Sequence, residues 1–280
     1  MFQIVRAETL NPVIKLMEIK APLIAKKAEP GQFVILSVAE SSERVPLTIA
    51  DYCRAKGTVT VIFQIIGATT EILSRLGRGD YIRDLAGPLG RPTETTCLKS
   101  VVIVGGGVGC ASAYPLAKKL REQDCQVDVI TGFRTRELVI FEKEFRQVSN
   151  RFFLMTDDGS CGAQGLVTDA LRKLIDEGDI YDTVFAIGPL IMMKSVSSMT
   201  KKYGVKTIVN MNPIMIDGTG MCGGCRLSVG GKIKFACIDG PDFDGHLVDF
   251  YEAIARSGAY FPFECQANEK VCRLLNMEVR

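Results

Sequence analysis

The sequence predicts a chain of mixed β and α/β class in three units: an N-terminal antiparallel β-barrel, a parallel α/β domain and a C-terminal cysteine module. Three observations carry that prediction. Up to Leu98 the chain holds short β-branched runs separated by Gly, Pro and polar turns. Beyond Leu98, apolar strands alternate with amphipathic helices, the pattern of a parallel sheet. Finally, Cys222, Cys225 and Cys237 cluster inside the glycine-rich stretch MIDGTGMCGGCRLSVGGKIKFACIDG, Met215 to Gly240.

In the first unit, residues 1–97, the segments FQIVRAETL, IKLMEIKA, GQFVILSVA, GTVTVIFQII and GDYIRDLAG read as strands. TTEILSRLGRG reads as a helix stopped by glycines. Short strands at this spacing suggest a small barrel. The second unit, residues 98–210, opens with SVVIVGGGVGCASAYPLAKKLREQ, a strand, a glycine turn and a helix. A helix starting near Ser112 puts Pro115 in its first turn, where a missing N–H does no harm. Strands QVDVITGF, RFFLMTDD and YDTVFAIG then alternate with helical ELVIFEKEFRQV and GLVTDALRKLIDEG. The third unit, residues 211–280, holds the cysteine segment, a helical GHLVDFYEAIARSG and a tail.

Composition narrows the function. Across 280 residues the hydrophobic content is 47%, enough for real cores and against disorder. The net charge is +2 without a long basic run, so nucleic acid is not an expected partner. MFQIVRAETL has no secretory pattern, and no apolar stretch approaches the ~18 residues that span a bilayer. A soluble, cytoplasmic protein is expected, with no membrane partner. Ten cysteines without a signal peptide then point to metal or redox chemistry rather than disulfides.

Gly105, Gly106, Gly107 and Gly109 form a turn after a strand and before a helix, where backbone N–H groups can meet a phosphate. The dinucleotide fingerprint is incomplete, because Cys110 stands where its third glycine belongs. The acid that normally ends the second strand is missing too: VITGFR supplies Gly132 and Arg134, while Asp128 lies earlier in the strand. Further turns at strand ends, TDDGSCGAQG with Asp157, Asp158 and Gly159, and AIGPLIMM with Gly188 and Met192, extend the same candidate edge.

The cysteine spacing matches plant-type [2Fe–2S] sites, C-x4-C-x2-C with a distant fourth ligand. Cys222 and Cys225 are the C-x2-C pair, Cys237 is distant, and Asp217 stands in the first cysteine's place. Asp217 is therefore the expected fourth ligand, although an Asp-Gly pair also makes turns. Zinc, His246 as a Rieske-like ligand, and Cys265 or Cys272 folding back remain as alternatives.

The order of these segments resembles ferredoxin-reductase-like flavoproteins, which place a flavin barrel before a nicotinamide sheet. ERVPLTI, VVIVGGGVGCA, DDGSCGAQG and CGGC…CIDGP, in that order, resemble the small subunits of the dihydroorotate dehydrogenase electron-transfer family. Within it, the likeness extends to the small subunits of NADH-dependent reduced ferredoxin:NADP oxidoreductases, also known as sulfide dehydrogenases. The resemblance implies an FAD-binding barrel, an NAD-binding domain and a [2Fe–2S] module. It implies that Arg44 pairs with the flavin pyrophosphate and that Thr48, in the element spanning Val45, Pro46 and Leu47, acts at the reactive flavin nitrogen. Ile62, Phe63 and Gln64 would line the flavin, and Gly67, Thr69 and Thr70 would open a helix toward the same pyrophosphate. The nicotinamide nucleotide would take the glycine edge, with Arg134 or Arg136 free to meet a 2′-phosphate. The implied role is an electron-bifurcating oxidoreductase subunit in a heterodimer. Its larger flavin and iron–sulfur partner would meet ferredoxin; the alternative is the electron-transfer subunit of NAD-dependent dihydroorotate dehydrogenase.

Overall fold

The computed structural model describes residues 1–40 and 42–267. The first unit contains β1 (Phe2–Asn11), β2 (Ile14–Lys20), α1 (Pro22–Lys27), β3 (Phe33–Ser37), β4 (Val45–Cys53), β5 (Thr58–Gln64), α2 (Ala68–Arg75), β6 (Tyr81–Ile82) and β7 (Asp84–Leu89). Its strands pair antiparallel in the order β6-β1-β2-β5-β4-β3-β7, a curled sheet forming an open barrel. Side chains alternate across each strand, so Val34, Leu36, Ile49, Val59, Val61 and Phe63 fill the interior. The GDYIRDLAG run divides between β6 and β7, and α1 is a helix that the sequence pattern did not predict.

The second unit contains β8 (Ser100–Gly106), α3 (Gly109–Glu122), β9 (Gln126–Phe133), α4 (Glu142–Val148), β10 (Arg151–Thr156), β11 (Ala163–Gln164), α5 (Val167–Asp176), β12 (Thr183–Ile187), α6 (Leu190–Tyr203) and β13 (Thr207–Asn210). Parallel strands run β11-β10-β9-β8-β12-β13, so the order reverses beside β8 and opens a switch point between β8 and β12. Helices cover both faces, which is why these strands read as continuous apolar runs. Helix α3 begins at Gly109, a turn earlier than expected. Pro115 therefore lies inside it, where the Ala111 carbonyl loses its ordinary partner.

The third unit is an excursion from that sheet. It contains β14 (Arg226–Val229), β15 (Lys232–Phe235), α7 (Ala236–Asp239), β16 (Asp242–Asp244) and α8 (Phe250–Ser257). Strand β16 returns to pair antiparallel with β13, so residues 242–244 belong to the α/β sheet. Helix α8 starts later than the apolar pattern implied, because the Asp249 side chain accepts the Glu252 N–H at 3.0 Å and caps it. A buried carboxylate welds the three units. Asp242 accepts Asn210 Nδ2 at 2.6 Å from the sheet and the Thr93 hydroxyl from the interdomain linker.

Candidate functional site

The register of β3 and β4 sorts the residues expected to hold a flavin. Phe33 pairs with Thr48 and Ile35 with Pro46. Phe33 and Ile35 belong to the core shared with the cysteine unit, whereas Val34 and Leu36 face the barrel interior. By alternation, Pro46 and Thr48 share the outer face with Phe33 and Ile35, and Arg44 lies just before the strand. Val45 and Leu47 instead pack on the barrel core, so they offer a ligand only backbone. Phe63 is buried in that core as well. Ile62 is buried against the α/β domain, and Gln64 is exposed at the strand end.

Gly67 stands at the N-terminus of α2, and the Thr70 hydroxyl accepts its N–H at 3.0 Å. Thr69 is buried, with its hydroxyl 3.4 Å from Glu43 Oε2. Arg44 is exposed, and among the described residues no carboxylate pairs with it. A free guanidinium and, separately, the N–H groups of a helix start are both chemistry that suits a pyrophosphate.

The glycines of the second unit converge on one edge. Gly107 N–H bonds the Gly132 carbonyl at 2.9 Å, and Asp157 N–H bonds the Phe133 carbonyl at 3.1 Å. Across the switch point, a Cβ on Gly106 would lie 2.4 Å from Met192 Sδ, and one on Gly188 would lie 3.0 Å from the Gly106 backbone. A Cβ on Gly109 would fall 2.5 Å from the Ile187 carbonyl oxygen. Glycine there lets α3 close onto β12, the duty of the fingerprint's third glycine. Burial pushes the Cys110 thiol far above its ordinary range, which makes it a packing residue.

The acids nearby have structural work. Asp128 accepts Arg151 at 2.6 Å and the Tyr181 hydroxyl at 2.7 Å, away from the ligand edge. Asp158 accepts the Ser160 hydroxyl at 2.6 Å, which holds its carboxyl below the usual range, and Gly159 turns the chain beside it. Ser160 in turn accepts the Arg136 N–H at 2.8 Å. Arg134 and Arg136 are both exposed on this loop.

In the cysteine unit, Cys225 and Cys237 are buried with their sulfurs 3.2 Å apart, while Cys222 is exposed. Burial, then the Cys225 neighbour, push the Cys237 thiol up to about 12. Asp217 accepts the Thr219 N–H at 2.7 Å and the Cys222 N–H at 2.8 Å. Those bonds, the Thr219 one foremost, hold its carboxyl below the usual range. The carboxylate thus organises the ligand loop, and each oxygen keeps a further lone pair. Among the described residues no three candidate ligands converge on one point.

The loop nevertheless fits an anionic sulfur cluster. The N–H groups of Gly223, Gly224 and Cys225 have no acceptor among the described residues. Three soft sulfurs, one carboxylate and spare N–H donors suit iron–sulfur ligation. The alternatives lie elsewhere: His246 Nε2 sits 3.0 Å from Thr200 Oγ1 outside any helix, Cys265 is exposed beyond α8, and Cys272 lies outside the described residues.

Sequence reasoning placed β3 as a barrel strand but missed that the cysteine loop packs on it. A Cβ on Gly218 would lie 2.7 Å from Leu89 and 3.0 Å from Ile35, so the ligand loop rests directly on β7 and β3. The signal was available: FVILS is buried at every position, and a barrel strand with no polar face must be covered on both sides.

Comparison with known proteins matches this arrangement. A family model described as the iron–sulfur cluster binding domain of dihydroorotate dehydrogenase B matches residues 212–249. A Thermotoga maritima homolog of the dihydroorotate dehydrogenase B (NAD(+)) electron transfer subunit is 44% identical over 260 residues, covering 90% of this chain and 92% of its own. The chain belongs to the dihydroorotate dehydrogenase B electron-transfer subunit family. The electron transfer subunit of Desulforamulus reducens is 35% identical over 235 residues, covering 81% of this chain and 89% of its own. A chain from the structure of an NADH-dependent reduced ferredoxin-NADP oxidoreductase, solved for insight into flavin-based electron bifurcation, superposes with a TM-score of 0.91. It is 41% identical and covers 96% of this chain and 97% of its own. A ferredoxin NADP+ reductase from Neisseria gonorrhoeae, at 16% identity and a TM-score of 0.57 over 72% of this chain and 90% of its own, shares the fold alone. Among the described residues of this family member, no helix is long and apolar enough to cross a membrane.

Proposed function

We propose that this protein is an electron-transfer oxidoreductase subunit working between NAD(H), FAD and a [2Fe–2S] cluster. It would pass electrons to or from a larger flavin and iron–sulfur partner subunit in flavin-based electron bifurcation. The observation that carries the reading is the shared strand: the outer face of β3 and β4 presents Pro46 and Thr48, and the cysteine loop rests on Ile35 of the same face. The near full-length likeness to a chain of an NADH-dependent reduced ferredoxin-NADP oxidoreductase supports it. Held by these residues, FAD would supply hydride exchange with nicotinamide and single-electron exchange with an iron–sulfur cluster.

The chain's own residues supply binding and orientation. Arg44 and the start of α2 hold the flavin pyrophosphate, and Thr48 presents a hydroxyl to the flavin's reactive edge. The turn Gly105–Gly107 holds the nicotinamide nucleotide phosphates, with Gly132, Asp157 and Gly188 bounding the crevice. Cys222, Cys225 and Cys237 hold the cluster, with Asp217 as fourth ligand. Residues 1–97, 98–210 and 211–280 serve as flavin, nucleotide and cluster units, with β16 lent back to the second. Ferredoxin meets the partner rather than this chain. Nine free cysteines among the described residues suit a reducing, cytoplasmic setting.

A second reading, the electron-transfer subunit of NAD-dependent dihydroorotate dehydrogenase, is favoured by the family match over residues 212–249. Anaerobic purification with the native partner separates the two. NAD reduction that requires both NADPH and ferredoxin chemistry supports bifurcation. NAD reduction driven by dihydroorotate supports the second reading and overturns the first.

A further inference from the structure

Helix α8 reaches back over the cysteine loop. It is tied to β14 by the Asp249 N–H, which bonds the Ser228 carbonyl at 2.9 Å. From its last turn, Arg256 Nη2 donates to the Gly224 carbonyl at 3.3 Å. Arg256 is half-buried, and among the described residues no carboxylate pairs with it. Gly224 lies between Cys222 and Cys225. A trans peptide holds its C=O and N–H on opposite sides. With the Gly224 carbonyl turned to the guanidinium, the Cys225 N–H points away from α8, and it has no acceptor among the described residues. Of the other charges at these loops, Asp217 bonds backbone, Asp239 takes the Phe235 N–H at 2.9 Å and Lys234 at 3.6 Å, and Arg226 is exposed; Arg91 donates to the Ile238 carbonyl at 3.0 Å, beyond Cys237 rather than between the paired cysteines.

We infer that Arg256 is a positioning residue for the iron–sulfur site, pinning the Gly224 carbonyl, freeing the Cys225 N–H for the cluster and raising the cluster's reduction potential. The inference rests on the cluster reading above. Reduction adds negative charge, which a nearby cation and oriented N–H donors favour, and hydrogen bonds and net charge are known levers on cluster potential.

The test is an anaerobic redox titration of the full chain, followed by electron paramagnetic resonance, for the wild type, Arg256→Met and Arg256→Lys. Methionine keeps an unbranched stem without charge or donors; lysine keeps both charge and donor. Arg256→Met should lower the reduced-to-oxidised ratio at fixed ambient potential about tenfold, a fall of about 59 mV for one electron. Arg256→Lys should stay within about threefold of wild type, by the same conversion. An unchanged potential in Arg256→Met overturns the inference. If Arg256→Met loses its cluster, retention by Arg256→Lys supports the pinning role, and loss in both contradicts it. Absence of iron and acid-labile sulfide from the wild type would instead overturn the cluster reading itself.

Discussion

The nucleotide edge and the cysteine loop are both rich in glycine, and they use it for different reasons. At the edge, glycine makes room. Gly106 and Gly109 sit where a Cβ would strike Met192 or the Ile187 carbonyl, so close packing of α3, β8 and β12 shapes the crevice before any ligand arrives. In the loop, glycine makes conformations. Gly220 and Gly223 have φ of +81° and +68°, and these turns expose N–H groups around the thiols. The edge is held by a sheet with helices on both faces. The loop is held by Asp217, by β3 and β7 beneath it, and by the group it is built to bind. Ligand removal should therefore cost the loop far more order than the edge.

The largest effect is expected from Cys237→Ser. Replacing this buried, proposed ligand should abolish the cluster, read as loss of iron and acid-labile sulfide, while FAD content stays at the wild-type level. Loss of FAD alongside the cluster would mean that the two regions do not fold independently. Next comes Asp217→Ala, which removes both the proposed fourth ligand and the acceptor for two backbone N–H groups. It should give a labile cluster with an altered paramagnetic signal, and Asp217→Cys should keep the cluster with thiolate in the plant-type position. An unchanged signal and full iron content in Asp217→Ala would remove the carboxylate from the ligand set.

On the nucleotide side, Gly109→Ala should destabilise the domain by about 1–3 kcal/mol, the cost of overpacking a tight contact, because the obstacle is backbone. Urea unfolding followed by circular dichroism reads this, and a change below about 0.5 kcal/mol would show that α3 can shift without penalty. The smallest effect is expected at Thr48. Thr48→Ala should slow flavin reduction by NADH about tenfold, the worth of one hydrogen bond of about 1–1.5 kcal/mol, with FAD still bound. Stopped-flow absorbance distinguishes this from loss of FAD at an unchanged rate, which would place Thr48 in binding rather than chemistry.

Much of this was legible in the residues. Alternating strands with a Leu98 transition located the barrel and the sheet, and the spacing of Cys222, Cys225 and Cys237 located the loop. The parts that were not legible depend on contacts between distant segments. Val45 and Leu47 lie in the same motif as Arg44 and Thr48, but register against β3 turns them inward. Helix α3 starts at Gly109 because packing on Ile187 rewards it, which overrides the cost of an internal Pro115. Nothing near Cys225 in sequence announces Arg256, which arrives from a helix beyond the next hairpin.

Anaerobic addition of NADH to the isolated full chain, followed by electron paramagnetic resonance and metal analysis, tests the joined sites directly. Bleaching of the flavin, together with the signal of a reduced [2Fe–2S] cluster, is expected at a stoichiometry of about one FAD and one cluster per chain. Zinc in place of iron and sulfide, or a flavin that bleaches while the cluster stays oxidised, would contradict electron transfer across the shared β3 face.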